Sequence, residues 1–123
     1  MPLELSLAVV GLDFPNTDKS NRRFEMALCF PGEPVHLVPD PKNRADPRAV
    51  AVLSARGTQL GYLTAERCGL IGARLEAGER YEAFFQEPSR AAAFIRVRFG
   101  GGPPTMPAPA TREVQDLDVD WGA

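Results

Sequence analysis

Cysteine, histidine and tryptophan are scarce in this chain. Its 123 residues hold two cysteines, one histidine and one tryptophan. Cys29 and Cys68 stand far apart without a CxxC spacing, and His36 alone cannot complete a tetrahedral zinc site with them. A zinc finger or ribbon is therefore not expected, unless a fourth ligand comes from elsewhere in the chain. Both cysteines fall in apolar runs, where a buried reduced thiol is the expected state. Long apolar runs are missing as well, since none approaches the ~20 residues a membrane span needs. The opening MPLELSLAVVGLDF has no basic region and carries Glu4, unlike a signal peptide. No charge dominates: 14 basic and 16 acidic residues leave a net charge of −2, which excludes a bulk basic nucleic-acid coat. GxSxG, P-loop, HExxH and Cys–His patterns are absent, and no helix follows GGGPP (100–104) to cradle a phosphate. No enzymatic activity, metal or cofactor is expected. The expectation is a soluble, cytoplasmic protein with no membrane contact.

What is present suits one small domain with its own core. Hydrophobic residues make up 44% and charged residues 24%, as in ordinary globular chains. Composition shifts at Gly100, where a glycine triplet and four prolines begin a segment read as a disordered linker and acidic tail, 100–123. That tail sets Arg112 against Glu113, Asp116, Asp118 and Asp120, so the domain proper, 1–99, holds 13 basic and 12 acidic residues. The Asp-rich end with Trp121 reads as a solubilising tail, with a docking motif or a competitor for the domain's basic surface as alternatives.

Within 1–99 the apolar residues mostly alternate, the period of a strand. Leu3, Leu5, Leu7 and Val9 predict a strand over 3–11. After a polar loop, Asn16 to Arg23, the alternation of Phe24, Met26 and Leu28 predicts a second strand ending at Pro31–Gly32. Further strands are expected at 34–38, 49–54, 58–63, 81–86 and 92–99, with a turn-rich loop from Pro39 to Pro47 and a tight turn at Arg56–Gly57. One helix is predicted between an N-cap at Thr64 and a stop at Gly78, with Cys68, Ile71 and Leu75 on its inner face. Its Gly69 and Gly72 weaken it by about 1 kcal/mol each relative to alanine and are expected to permit close approach to a strand. Six or seven short strands with one or two short helices describe a mainly β protein, a small barrel with a helical cap.

Three segments carry a resemblance: VVGL (9–12), LVPDPKNRADPRAVAV (37–52) and GTQLGYL (57–63). Together they resemble the HIRAN domain, a module found at the N-terminus of some fork-remodelling helicases and as a standalone bacterial protein. The resemblance covers roughly residues 7–87 and implies an OB-like β-barrel. It also implies binding of single-stranded DNA or a DNA 3′ end, in DNA repair or replication-fork processing. Such barrels combine a basic groove with aromatic platforms. Lys19, Arg22 and Arg23 in one loop and Lys42, Arg44 and Arg48 in another are the candidate positives, or else solvated loop charges. Asp46 matches the aspartate that accepts a terminal 3′-hydroxyl in the family, while Asp46 and Asn43 also suit capping of loop amides. Phe14 and Tyr62 are candidate stacking rings, or else core residues. Asp13, Pro15, Ala45 and Ala65 depart from the DNA-capturing pattern, replacing a basic residue, an aromatic, a stacking tyrosine and a lysine. A protein-interaction adaptor docking a helicase or nuclease through the barrel edge or the acidic tail is the alternative function.

Overall fold

A computed structural model describes residues 3–107. The element order is β1 (Leu3–Val10), α1 (Arg22–Leu28), β2 (His36–Pro39), β3 (Val50–Leu53), β4 (Gln59–Leu63), α2 (Ala65–Glu76), β5 (Tyr81–Pro88) and β6 (Ala93–Phe99). The six strands form one antiparallel sheet in the order β2-β3-β4-β1-β6-β5. Its two edges meet just ahead of β2. Val35 N–H donates to the Ala83 carbonyl at 2.9 Å, and Phe85 N–H to the Glu33 carbonyl at 2.7 Å. The Leu37 amide also donates to the Tyr81 hydroxyl at 3.0 Å. The sheet thus curls into a half-barrel with six strands and two helices, the OB-like fold expected.

The strand periodicity holds where alternate residues reach the interior. Along β6, Ala93, Ile95, Val97 and Phe99 are buried, while Phe94, Arg96 and Arg98 face outward. They meet Leu7, Val9, Val50, Val52, Leu60 and Phe85 in one core. Helix α2 covers one end of it with Cys68 and Ile71, with Leu75 packed alongside. Thr64 stands at its N-cap, although the hydroxyl makes no capping bond, and Gly78 follows its end with φ +77°. Gly72 lies over Val50, but a methyl there would sit 3.7 Å from the Val50 side chain, an ordinary contact. The closeness of α2 to β3 therefore does not depend on glycine.

One expected strand is a helix. Residues 24–28 belong to α1, whose buried residues are Arg22, Glu25 and Met26. That is the i, i+3, i+4 spacing of a helix face. Two of the three are charged, so the inner face does not appear in the apolar pattern. Asn21 caps the helix, its side-chain oxygen accepting the Phe24 amide at 2.8 Å. Glu25 is buried because it has partners: Ser54 Oγ donates to it at 2.6 Å and Arg56 Nε at 2.7 Å. These bonds fasten α1 to the β3–β4 hairpin. The strand expected at 34–38 begins at His36, and Pro34 makes only an isolated bridge to Phe84.

After β6 the chain returns along β1, where the Thr105 amide donates to Glu4 at 2.7 Å. The remainder of the expected tail, with its four carboxylates and Trp121, lies outside the described residues. No helix among the described residues is long and apolar enough to cross a membrane.

Candidate nucleic-acid interface

The end of β1 and the middle of β4 meet at a site only glycine permits. A Cβ on Gly61 would lie 2.2 Å from the Val10 carbonyl oxygen. With hydrogen in its place, Val9 pairs with Leu63 and Val10 with Tyr62. Tyr62 is thereby set against the VVGL segment. Gly11, at φ +80°, then reverses the chain, and the Phe14 amide closes the turn on the Gly11 carbonyl at 3.2 Å. Phe14 is left on the rim, 68% exposed.

Arg22, a candidate positive of the first loop, lies in helix α1 instead and is only 7% exposed. It opens α1 and points back under the turn. Its Nε donates to Asn16 Oδ1 at 2.6 Å and its Nη1 to the Gly11 carbonyl at 2.8 Å. Its guanidinium carbon lies 5.6 Å from the centre of the Tyr62 ring. Asn16, itself buried, also donates to the Gln59 carbonyl at 3.0 Å. Burial pushes the Arg22 guanidinium below its ordinary pKa, with Tyr62 acting in the opposite direction.

The loop before β3 supplies the opposite wall. Asn43 Oδ1 accepts the amides of Ala45 and Asp46 at 2.9 and 3.0 Å. Asp46 Oδ1 accepts the Arg48 amide at 2.8 Å. The Tyr62 hydroxyl donates to Asp40 Oδ2 at 2.9 Å, which ties the loop to β4. Asp46 thus does cap loop amides. Its side chain nonetheless stays 28% exposed; the Arg48 guanidinium stands 3.6 Å from Oδ1, and among the described residues Oδ2 has only the Cys68 thiol as a weak donor, at 3.6 Å. The Arg48 amide, reinforced by the Arg48 charge, holds the Asp46 carboxyl below the ordinary carboxylate range.

Between these walls lies a cleft of about 410 Å³. Phe14, Arg22, Asn43, Asp46 and Tyr62 all line it, together with Ala45 and Ala65. The other five expected residues do not line it, and Lys19 lines a smaller pocket with Asp13 and Arg23. Arg23 is ion-paired with Asp13 and donates to the Arg90 carbonyl at 2.9 Å. Arg48 lines a neighbouring groove between the loop and α2. Lys42 and Arg44 are exposed and have no carboxylate partner among the described residues. Asn16 and Asp40, which position Arg22 and Tyr62, were not among the expected site residues. A polar residue in a loop carries no sign of being buried until its partners are known. Among the described residues, no group of three or more His, Cys, Asp or Glu could hold a metal ion.

The cleft combines an exposed aromatic face, a buried guanidinium, and a carboxylate with one oxygen nearly free. No curated protein matches the sequence. Among solved structures, the crystal structure of the HIRAN domain of human HLTF superimposes with a TM-score of 0.64 at 22% identity, covering 78% of this chain and 74% of that one. A protein from Lactobacillus plantarum superimposes at 0.66 with 16% identity, covering 80% of this chain and 95% of that one. At these identities the likeness establishes the fold. The family model of the HIRAN domain matches residues 4–97, nearly the whole described region. The chain belongs to the HIRAN domain family.

Proposed function

We propose that this domain binds single-stranded DNA at its 3′ end, with the terminal nucleotide in the cleft, and serves DNA repair or replication-fork processing without catalysis of its own. The observation that carries the reading is Asp46, a partly exposed carboxylate in the same cleft as the Phe14 ring. A carboxylate repels phosphate, so it suits a nucleic-acid cleft only where a hydroxyl must be recognised. An internal nucleotide would bring its 3′-phosphate to that spot and be rejected. Phe14 offers a base a stacking surface worth about 1–3 kcal/mol. Lys42 and Arg44, exposed on the adjoining loop, suit the outer phosphates.

Three departures from the family pattern gain a physical meaning. Asp13 is ion-paired with Arg23, so its charge is largely neutralised locally. Ala45 and Ala65 line the cleft with methyl groups, which leaves room but removes a ring and a cation. Binding weaker than in DNA-capturing relatives follows.

Fluorescence anisotropy with 5′-labelled oligonucleotides tests the reading. A free 3′-hydroxyl should bind about tenfold or more tightly than a 3′-phosphate. Asp46→Asn should erase that difference. Equal binding of both ends, or no binding at low salt, overturns the proposal.

The adaptor reading has one observation in its favour: Phe24 and Leu28, on one face of α1, and the nearby Phe30 are exposed. A helicase or nuclease captured by the intact protein and lost by a Phe24→Ser, Phe30→Ser double variant would support it.

A further inference from the structure

We infer that Arg22 is the phosphate-binding group of the cleft and takes the phosphodiester joining the last two nucleotides, an assignment that rests on the proposed 3′-end binding. Its charge is unmatched. Among the described residues, the partly buried arginines Arg23, Arg74, Arg96 and Arg98 each pair with a carboxylate. Arg22 is more deeply buried than any of them, and no carboxylate lies within ion-pair distance among the described residues. Its neighbours are a backbone carbonyl, an amide oxygen and the Tyr62 ring, all neutral. A buried charge without a counter-charge is costly. A guanidinium has five N–H donors. Here one on Nε and one on Nη1 are occupied, and Nη2 has no acceptor among the described residues.

The position of Arg22 decides which anion can answer that charge. The residue lines the cleft that also holds Phe14 and Asp46. The guanidinium therefore shares one cleft with the stacking ring and the carboxylate. If the 3′-hydroxyl meets Asp46 and the last base meets Phe14, the next anionic group along the strand is a single phosphodiester. The planar fork of a guanidinium matches two phosphate oxygens. Three contacts already fix its orientation, so little side-chain freedom is lost on binding. The exposed Lys42 and Arg44 have no such anchoring and serve any phosphate that passes.

The assignment predicts dependence on one linkage rather than on total charge. In the wild-type protein, a neutral methylphosphonate is placed in turn at each linkage of a short oligonucleotide with a free 3′-hydroxyl. Binding should fall about tenfold or more at the terminal linkage and much less at linkages further from the end. In Arg22→Gln the terminal methylphosphonate should cause no further loss, and the slope of log K against log salt should become shallower by about 0.7. Arg22 also holds the Gly11 turn, so Arg22→Gln is first checked for folding. If it does not fold, the wild-type scan and Arg22→Lys decide, the lysine variant binding more weakly but keeping the terminal-linkage dependence. A flat scan with 3′-hydroxyl preference intact overturns the assignment and leaves the 3′-end reading standing. Failure of every oligonucleotide to bind overturns both.

Discussion

Replacing Gly61 by alanine tests how the cleft is built. The added methyl would stand 2.2 Å from the Val10 carbonyl oxygen and 3.1 Å from a Val9 methyl. The first neighbour is backbone, so strands β1 and β4 must part by about 1 Å to restore van der Waals contact. Their pairing spans only Val9–Leu63 and Val10–Tyr62, so little ladder remains to hold them together. Losing those bonds, at about 1 kcal/mol each, and loosening the buried Val9 and Leu63 predict a loss of about 3 kcal/mol, within the range of severe point substitutions. For a domain this size the melting temperature should fall on the order of 15 °C. Gly57→Ala is the control, because its site has φ +86° and nothing within 4 Å. That variant should lose only the left-handed backbone penalty, about 1 kcal/mol. Urea denaturation of both variants measures the difference. A Gly61→Ala protein as stable as Gly57→Ala would refute the close-approach argument.

Other outcomes follow from the same contacts. Glu25→Ala strips Ser54 and Arg56 of their shared acceptor and should destabilise the protein by about 2–3 kcal/mol in urea titrations; a change below about 0.5 kcal/mol, the scatter of ordinary surface substitutions, would contradict that role. In the folded state the Asp46 carboxyl titrates below the ordinary aspartate range, chiefly through the Arg48 amide. Its stabilisation is therefore complete above the unfolded-state pKa and is lost as pH falls through the folded-state value. Wild type should be more stable than Asp46→Asn at neutral pH, and the two curves should converge under strongly acidic conditions, as followed by denaturation across pH. Parallel curves would show that the charge contributes nothing. Burial pushes the Cys29 thiol up to about 11, so iodoacetamide should label it slowly at neutral pH until urea unfolds the chain. Rapid labelling of the folded protein would count against that environment.

Most strands were legible because one requirement, an apolar residue at every second position, recurs along them. β6 shows it most plainly, with Ile95, Val97 and Phe99 inside and Arg96 and Arg98 outside. Helix α1 was illegible for the converse reason. Its interior face is built from Arg22, Glu25 and Met26, and two of these charges become acceptable indoors only through Ser54, Arg56, Asn16 and the Gly11 carbonyl. Those partners come from other parts of the chain, so periodicity cannot reveal them. The site divided along similar lines. The turn chemistry of Asn43 and Asp46 was readable from residue type, and the structure adds that one Asp46 oxygen remains almost free. Arg22 was legible as a candidate binding charge, but its place in a helix and its burial were not. Its burial beneath Tyr62 depends on Gly61 drawing β4 against β1, a contact made across the sheet.

The central claim is a matter of location, and backbone amide shifts report location directly. A titration of the labelled protein with a short oligonucleotide bearing a free 3′-hydroxyl should move the resonances of residues 10–14, 22, 43–46 and 62–65, the segments that line the cleft. The amides of Leu28 and Phe30, at the end of α1 and beyond it, should stay in place. Shifts concentrated on those residues or on the outer face of β5 and β6, with the cleft unmoved, would contradict the account.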